Sequence, residues 1–201
     1  MVGPRPRRGP TTATARAAVF LLAALGACAP HRPAPPPPLA AVGLLPIADG
    51  PNRSAVTGVF TFYSWIAETR AAVPEQLAAA LRAALTARGI AVVSADVAPA
   101  ASVRQASEAV AAAHLDAPAL FVVIDKWEAE NVTSPQFVDV GLDATLFAPS
   151  GKILWTTRRE AGPVATLNAI DLRGAYGKAA EAVAEGLVGG WSGDEGPKTK
   201  D

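Results

Sequence analysis

The 201-residue chain has a single cysteine, Cys28, two histidines, and no acidic residue ahead of Asp49. One cysteine cannot close an intramolecular disulfide or build a cysteine-based zinc cluster, so the position of this thiol must account for it. His31 stands among prolines and His114 alone at an expected helix end, where a hydrogen-bonding or cationic cap is the ordinary role. Neither marks a catalytic or metal site. No local serine, histidine and acid set is present, so nothing in the sequence motivates an enzyme. Gly151-Lys152 lacks the earlier glycine of a phosphate-binding loop, and Asn131-Val132-Thr133 matches a glycosylation pattern that belongs mainly to eukaryotic secretion. No cofactor is implied.

Runs of lysine or arginine are also missing. Arg5, Arg7, Arg8 and Arg16 precede Cys28, and from Cys28 onward 14 basic residues face 18 acidic ones, a net charge of −4. A mildly acidic chain without a basic cluster lacks the footprint that neutralising phosphates requires, which excludes nucleic acid as a partner class.

The amino terminus carries the most specific signal. A basic stretch ending at Arg16 is followed by an apolar run from Ala17 to Ala27. That is the order of a secretory signal peptide, and the run falls short of the roughly 20 residues a membrane-spanning helix needs. It closes on Leu25-Gly26-Ala27-Cys28, which resembles a bacterial lipobox: a leucine, two small residues that let a peptidase approach, then the cysteine that receives lipid. Residues 1–27 therefore read as a lipoprotein signal peptide. Residues 28–40 read as a lipidated cysteine and a linker in which Pro30, Pro33 and Pro35 through Pro38 favour extended polyproline geometry. Each buried methylene contributes about 0.8 kcal/mol, so several acyl chains on Cys28 would hold the protein at a membrane effectively permanently. Ala29 after the cysteine, by resemblance to lipoproteins of two-membrane bacteria, implies the outer membrane with the domain facing the periplasm.

Residues 41–188 read as one α/β domain, and 189–201 as a polar, flexible tail. Ala41 to Ile47 is a short apolar run ending at Asp49-Gly50-Pro51, as in a buried first strand. Leucines at 77, 81 and 85 with Ala84 form a helical stripe that Pro74 starts and Gly89 stops. Ile90 to Ser94 is a strand. Ser102 with Gln105 is a capping-box signature for a helix ending near His114. Ala119 to Glu128, Phe137 to Phe147 and Ile153 to Arg159 are strands, the last two joined around Pro149-Ser150-Gly151-Lys152. In the middle strand Val138, Val140, Leu142, Ala144 and Leu146 alternate against Asp139, Gly141, Asp143 and Thr145, which implies one packed face and one wet face. Asp171 to Val188 supplies a helix to cover the packed face. The expected fold is a mixed sheet with helices packed on it, in the order β-α-β-α-β-β-β-α.

Three pieces of sequence carry a family resemblance: Val42-Gly43-Leu44-Leu45-Pro46-Ile47-Ala48-Asp49, the helix start Val73-Pro74-Glu75-Gln76, and Asp143 through Trp155 with its close Ser150-Gly151-Lys152-Ile153-Leu154-Trp155. Over positions 41 to 188 they resemble the CsgG, TolB amino-terminal and LpoB-like group of envelope domains. The resemblance implies a TolB-amino-terminal-like fold and a role beside other envelope proteins. Two departures stand out. Leu115-Asp116-Ala117-Pro118 replaces a common Gly-Ala-Asp turn, and no long amphipathic membrane strands occur, so pore formation is not implied.

Two clusters remain. Asp125, Asp139 and Asp143 can approach one another on adjacent strands, but Asp139 and Asp143 fall on the polar side, so a solvated face is the ordinary reading and no site is assigned. Val56 to Ile66 concentrates aromatics after the first strand. Burial in the core is their usual fate, because rings carry the largest burial area per residue. If exposed, Phe60, Phe62, Tyr63 and Trp65 would be the partner contact. The resulting expectation is a non-catalytic outer-membrane lipoprotein, anchored through acylated Cys28, that serves an envelope protein complex as an assembly or regulatory factor. The competing readings are an auxiliary lipoprotein of an ABC-type transport or export system and a small periplasmic hydrolase.

Overall fold

The computed structural model describes residues 37–50, 64–131, 133–189 and 191. Leu25, Gly26, Ala27 and Cys28 lie outside these residues, as do Phe60, Phe62, Tyr63 and the side chain of Trp65. The chain runs through ten elements: β1 (Ala41–Leu44), β2 (Ala48–Asp49), α1 (Ser64–Ala71), α2 (Val73–Ala87), β3 (Ala91–Val93), α3 (Val103–Ala113), β4 (Ala119–Ala129), β5 (Phe137–Phe147), β6 (Ile153–Ala165) and α4 (Leu172–Val188). The fold is mixed α/β. Strand order in the sheet is β3-β1-β4-β5-β6, with β2 also paired to β4. β1 runs parallel to β3 and β4, while β4, β5 and β6 form an antiparallel meander.

The expected single strand from Ala41 to Ile47 is broken in two. Pro46 has no N–H to give to a ladder. Leu44 pairs beside Leu120 and Ala48 beside Val123, so four steps on one chain match three on the other. Leu45, 2% exposed, faces the α3 side by ordinary alternation, and the extra length reverses the facing beyond it, so that Ile47 packs on the α2 and α4 side and Ala48 on the α3 side. The sequence order also lacked α1, which is separated from α2 by the single residue Ala72.

The helices form where their signals lie. α2 has Pro74 in its first turn, buries Leu77, Leu81, Ala84 and Leu85, and stops at Gly89, whose φ of +74° favours glycine. Ser102 caps α3 by accepting from the Gln105 N–H, and Gln105 Oε1 accepts from the Ala101 N–H. His114 closes that helix in the left-handed region at φ 48°. Asp171 caps α4 through the Gly174 N–H.

α2 and α4 cover one face of the sheet. Val138, Val140, Leu142, Ala144 and Leu146 are all fully buried there. They pack in one cluster with Leu81 and Leu85 of α2 and with Ala179 and Val183 of α4. The opposite face is not wholly wet, as the alternation implied. Ala106 and Val110 of α3 cover Ala119, Phe121 and Phe147 at the end where β4 begins. α3 is about 16 Å long against roughly 35 Å of strand, so it covers only part of the face. The domain thus has three layers at one pole and two at the other.

The core runs beyond 41–188 at both ends. Leu39 and Trp191 are each 5% exposed. Trp191, in the segment expected to be a flexible tail, meets Trp155 edge-to-face with ring centroids 5.5 Å apart. Aromatic pairs favour that geometry, so this tryptophan joins the fold.

Candidate charged cleft at two bulges

On the face that α3 leaves open, two irregularities meet at Gly141 of β5. Along β4 the pairing shifts between Ile124 and Lys126, leaving Asp125 as an extra residue. Along β6, Val140 pairs with Gly162 but Leu142 with Arg159, so β6 also carries one extra residue. A bulge bends its strand, raises the local twist and re-aims side chains. It also reverses the facing of the residues beyond it. On β4 the helix-side positions run Leu120, Val122, Ile124 and then Trp127.

Glycine is needed at two contacts of this bend. A Cβ on Gly141 would lie 3.3 Å from the backbone of Ala161, tighter than most real contacts. The Gly50 N–H donates to the Ile124 carbonyl at 2.7 Å. A Cβ there would come within 2.9 Å of that oxygen and 3.1 Å of Asp125 Oδ1. The chain leaving β2 therefore presses directly on the β4 bulge.

The bend opens a cleft of about 270 Å³ lined by Asp125, Lys126, Gly141, Arg158, Arg159 and Glu160. Its charges are largely paired. Lys126 Nζ donates to Asp139 Oδ2 at 3.1 Å and lies 3.4 Å from Glu128 Oε2. Arg158 Nε lies 3.7 Å from Asp143 Oδ1 and 3.3 Å from Glu160 Oε1. The hydrogen bond that Lys126 donates to Asp139, followed by the charges of Asp139 and Glu128, raises the Lys126 pKa against a lowering by burial. Partial burial raises the carboxyl of Asp143, and the nearby charge of Asp125 adds to this while Arg158 opposes it. Exposed pairs of this kind contribute about 0–1 kcal/mol each, so the cleft is not what holds the sheet together.

The three aspartates singled out from sequence thus divide. Asp143 feels the charge of Asp125, and Asp139 is held by Lys126. Among the described residues, no group of three or more histidine, cysteine or acidic side chains is arranged to hold a metal ion. No serine, threonine or cysteine lines the cleft beside a base. Its chemistry is the display of alternating fixed charges. Lys126, Arg158, Arg159 and Glu160 were missed in the sequence, although two signals pointed to them: adjacent Asp125-Lys126 inside an apolar strand, and a lone glycine, Gly141, inside an alternating one.

A second polar feature ties the start of the 51–63 connection to its end. Arg70 Nη2 donates to Asp49 Oδ1 at 2.8 Å, with both side chains largely buried. Arg70 Nη1 is buried without a hydrogen-bond partner. The positive charge of Arg70 also lowers the pKa of Tyr176, which burial chiefly raises.

No family model and no curated protein matches the chain. Solved structures with a similar arrangement include bacterial lipoproteins. The PelC dodecamer from Paraburkholderia phytofirmans is similar at 13% identity over 80% of this chain and 97% of that one, with a TM-score of 0.44. The lipoprotein GNA1162 from Neisseria meningitidis is similar at 15% identity over 75% of this chain and 99% of that one, with a TM-score of 0.42. A minor lipoprotein from Acinetobacter baumannii is similar at 12% identity over 75% and 93% of the two chains, with a TM-score of 0.30. Such scores carry no function from one protein to another.

Proposed function

We propose that this protein is a lipid-anchored, non-catalytic component of a bacterial outer membrane, facing the periplasm, that docks onto a protein complex of the envelope as an assembly or regulatory factor. The observation that carries the proposal is the coincidence of the sole cysteine, Cys28, with the small-residue close of a signal peptide, Leu25-Gly26-Ala27. A proline-rich linker of limited reach then keeps one α/β domain close to the membrane. The residue-level likeness to the CsgG, TolB amino-terminal and LpoB-like group supports the same role. So does a cleft whose Lys126 and Arg158 are engaged in ion pairs with Asp139, Asp143 and Glu160 rather than aimed at a reacting atom. Among the described residues no helix is long and apolar enough to cross a membrane.

Affinity capture of the intact protein from crosslinked envelopes, with Cys28→Ala as the unanchored control, tests this reading. The expected result is a transport, secretion or cell-wall complex recovered with the wild type and lost in the control. Recovery of a permease and its ATPase would narrow the role to an auxiliary of that transport system. Recovery of the protein alone, at good crosslinking yield, would contradict docking.

A further inference from the structure

Leu167 and Ile170 are the most exposed large apolar side chains among the described residues, at 62% and 89%. Both belong to the short connection between β6 and α4. Hydrogen bonds and burial hold this connection tightly. The buried Thr166 hydroxyl donates to the Pro135 carbonyl at 3.0 Å, and the Thr166 N–H donates to the Gln136 carbonyl at 2.8 Å. The Ala169 N–H closes a turn on the Thr166 carbonyl at 3.0 Å, with Asn168 at φ +63° inside it. Lys178 Nζ reaches back from α4 to the Leu167 carbonyl at 2.6 Å. Asp171 then caps α4, while Ala169 and Leu172 are buried on either side of Ile170. The backbone is pinned and the two aliphatic side chains stand in water. A surface ordered before binding loses little conformational freedom on binding, and apolar side chains held out in water gain stability when a partner covers them.

The topology places this connection at a particular pole. The segment after Cys28 reaches the sheet at Ala40, whose carbonyl accepts from the Ala91 N–H, and β1 then pairs at Gly43 with Ala119, the first residue of β4. At the other end of β4, Ala129 pairs with Val138, and Phe137 with Ala165, immediately before the connection. The eleven residues of β4 span roughly 33 Å between the two ends. Phe137, 37% exposed, opens onto the same distant pole. Exposed Arg173 lies in the first turn of α4 with no ion pair among the described residues.

We infer that Leu167 and Ile170 form a two-pronged apolar anchor that inserts into an apolar pocket of a protein partner, with a carboxylate of that partner facing Arg173. The inference rests on the lipid-anchored docking role proposed above and names the surface that does the docking. The described chain enters the sheet at the opposite pole, so this end is the part of the domain farthest from where the linker to Cys28 joins it. That placement favours a protein standing in the periplasm over the lipid surface as the occupant.

The test uses the full-length lipidated protein in growing cells. A photoreactive residue at position 170 is expected to crosslink one identifiable protein. The double substitution Leu167→Asp, Ile170→Asp is expected to reduce recovery of that same protein from crosslinked envelopes about tenfold, with Arg173→Glu producing a smaller loss. Leu154→Asp, at the tether pole, should leave recovery unchanged, and all variants should keep the wild-type melting temperature. Equal recovery by the double variant would overturn the assignment of this pole while leaving docking intact. A crosslink from position 170 to lipid or to a second copy of the chain would also overturn it. If the wild type recovers no partner at all, the docking role itself fails and this inference with it.

Discussion

The two faces of the β4-β5-β6 meander are built from the same strands but carry different burdens. On the helix side, five alternate residues of β5 are fully buried against α2 and α4. On the other side, beyond the reach of α3, Asp139 and Asp143 stand in salt bridges with partly exposed Lys126 and Arg158. One face is a packing problem with few tolerated solutions, and the other is an electrostatic display whose members can change at small cost to the fold. The two bulges at Gly141 lie between these regimes, because they bend the packed face and open the charged one at the same positions.

The largest effect is expected on the packed face. Leu142→Ala should destabilise by about 2–5 kcal/mol, read as a fall in the chemical denaturation midpoint, since it removes a fully buried side chain and leaves a cavity. A loss below about 1 kcal/mol would break the contrast between the faces. Next comes the hinge between them. Gly141→Val should cost about 1–3 kcal/mol, because its Cβ meets the Ala161 backbone at 3.3 Å and β6 must shift. Away from both faces, His114→Gly should stabilise by up to about 1 kcal/mol by relieving the left-handed conformation that closes α3.

The smallest effect belongs to the charged face and depends on pH. The folded pKa of Asp143 is raised, so the fold prefers the neutral acid. Below the ordinary carboxylate pKa both states are protonated and the group has no influence. As the pH rises past it, the unfolded chain ionises first and stability falls, until the folded group has ionised as well. Asp143→Asn should therefore melt slightly higher than the wild type at pH 7 and equally at pH 3. A variant that melts lower at pH 7 would show that the Arg158 contact outweighs burial.

The packed face was legible in the sequence and the charged cleft was not, for a physical reason. Val138 to Leu146 alternate without interruption, and Leu77, Leu81 and Leu85 keep helical spacing, so their burial follows from periodicity. The caps at Ser102 and Asp171 are equally local. A bulge is a property of two strands at once. Asp125 becomes an extra residue only because β5 pairs past it, and no single-strand pattern records that. The break at Pro46 was masked by apolar residues on both sides. Trp191 was hidden by the polar composition around it, although a ring of that size so close to a helix end is a candidate for burial. Leu167 and Ile170 gave no signal, because isolated apolar residues in a loop are commonplace and only their pinned backbone sets them apart. The proposed attachment signal at Cys28 is the converse case, since a processing enzyme would read it from an unfolded chain and such a signal is therefore written in consecutive residues.

Everything proposed for this domain depends on that attachment, and metabolic labelling with a radioactive fatty acid, followed by membrane fractionation of wild type and Cys28→Ala, tests it directly. The account predicts label on the wild type, recovery of the protein in the outer-membrane fraction, and loss of both in the variant. An unlabelled wild type, or a Cys28→Ala protein that still carries label and sediments with membranes, would contradict it.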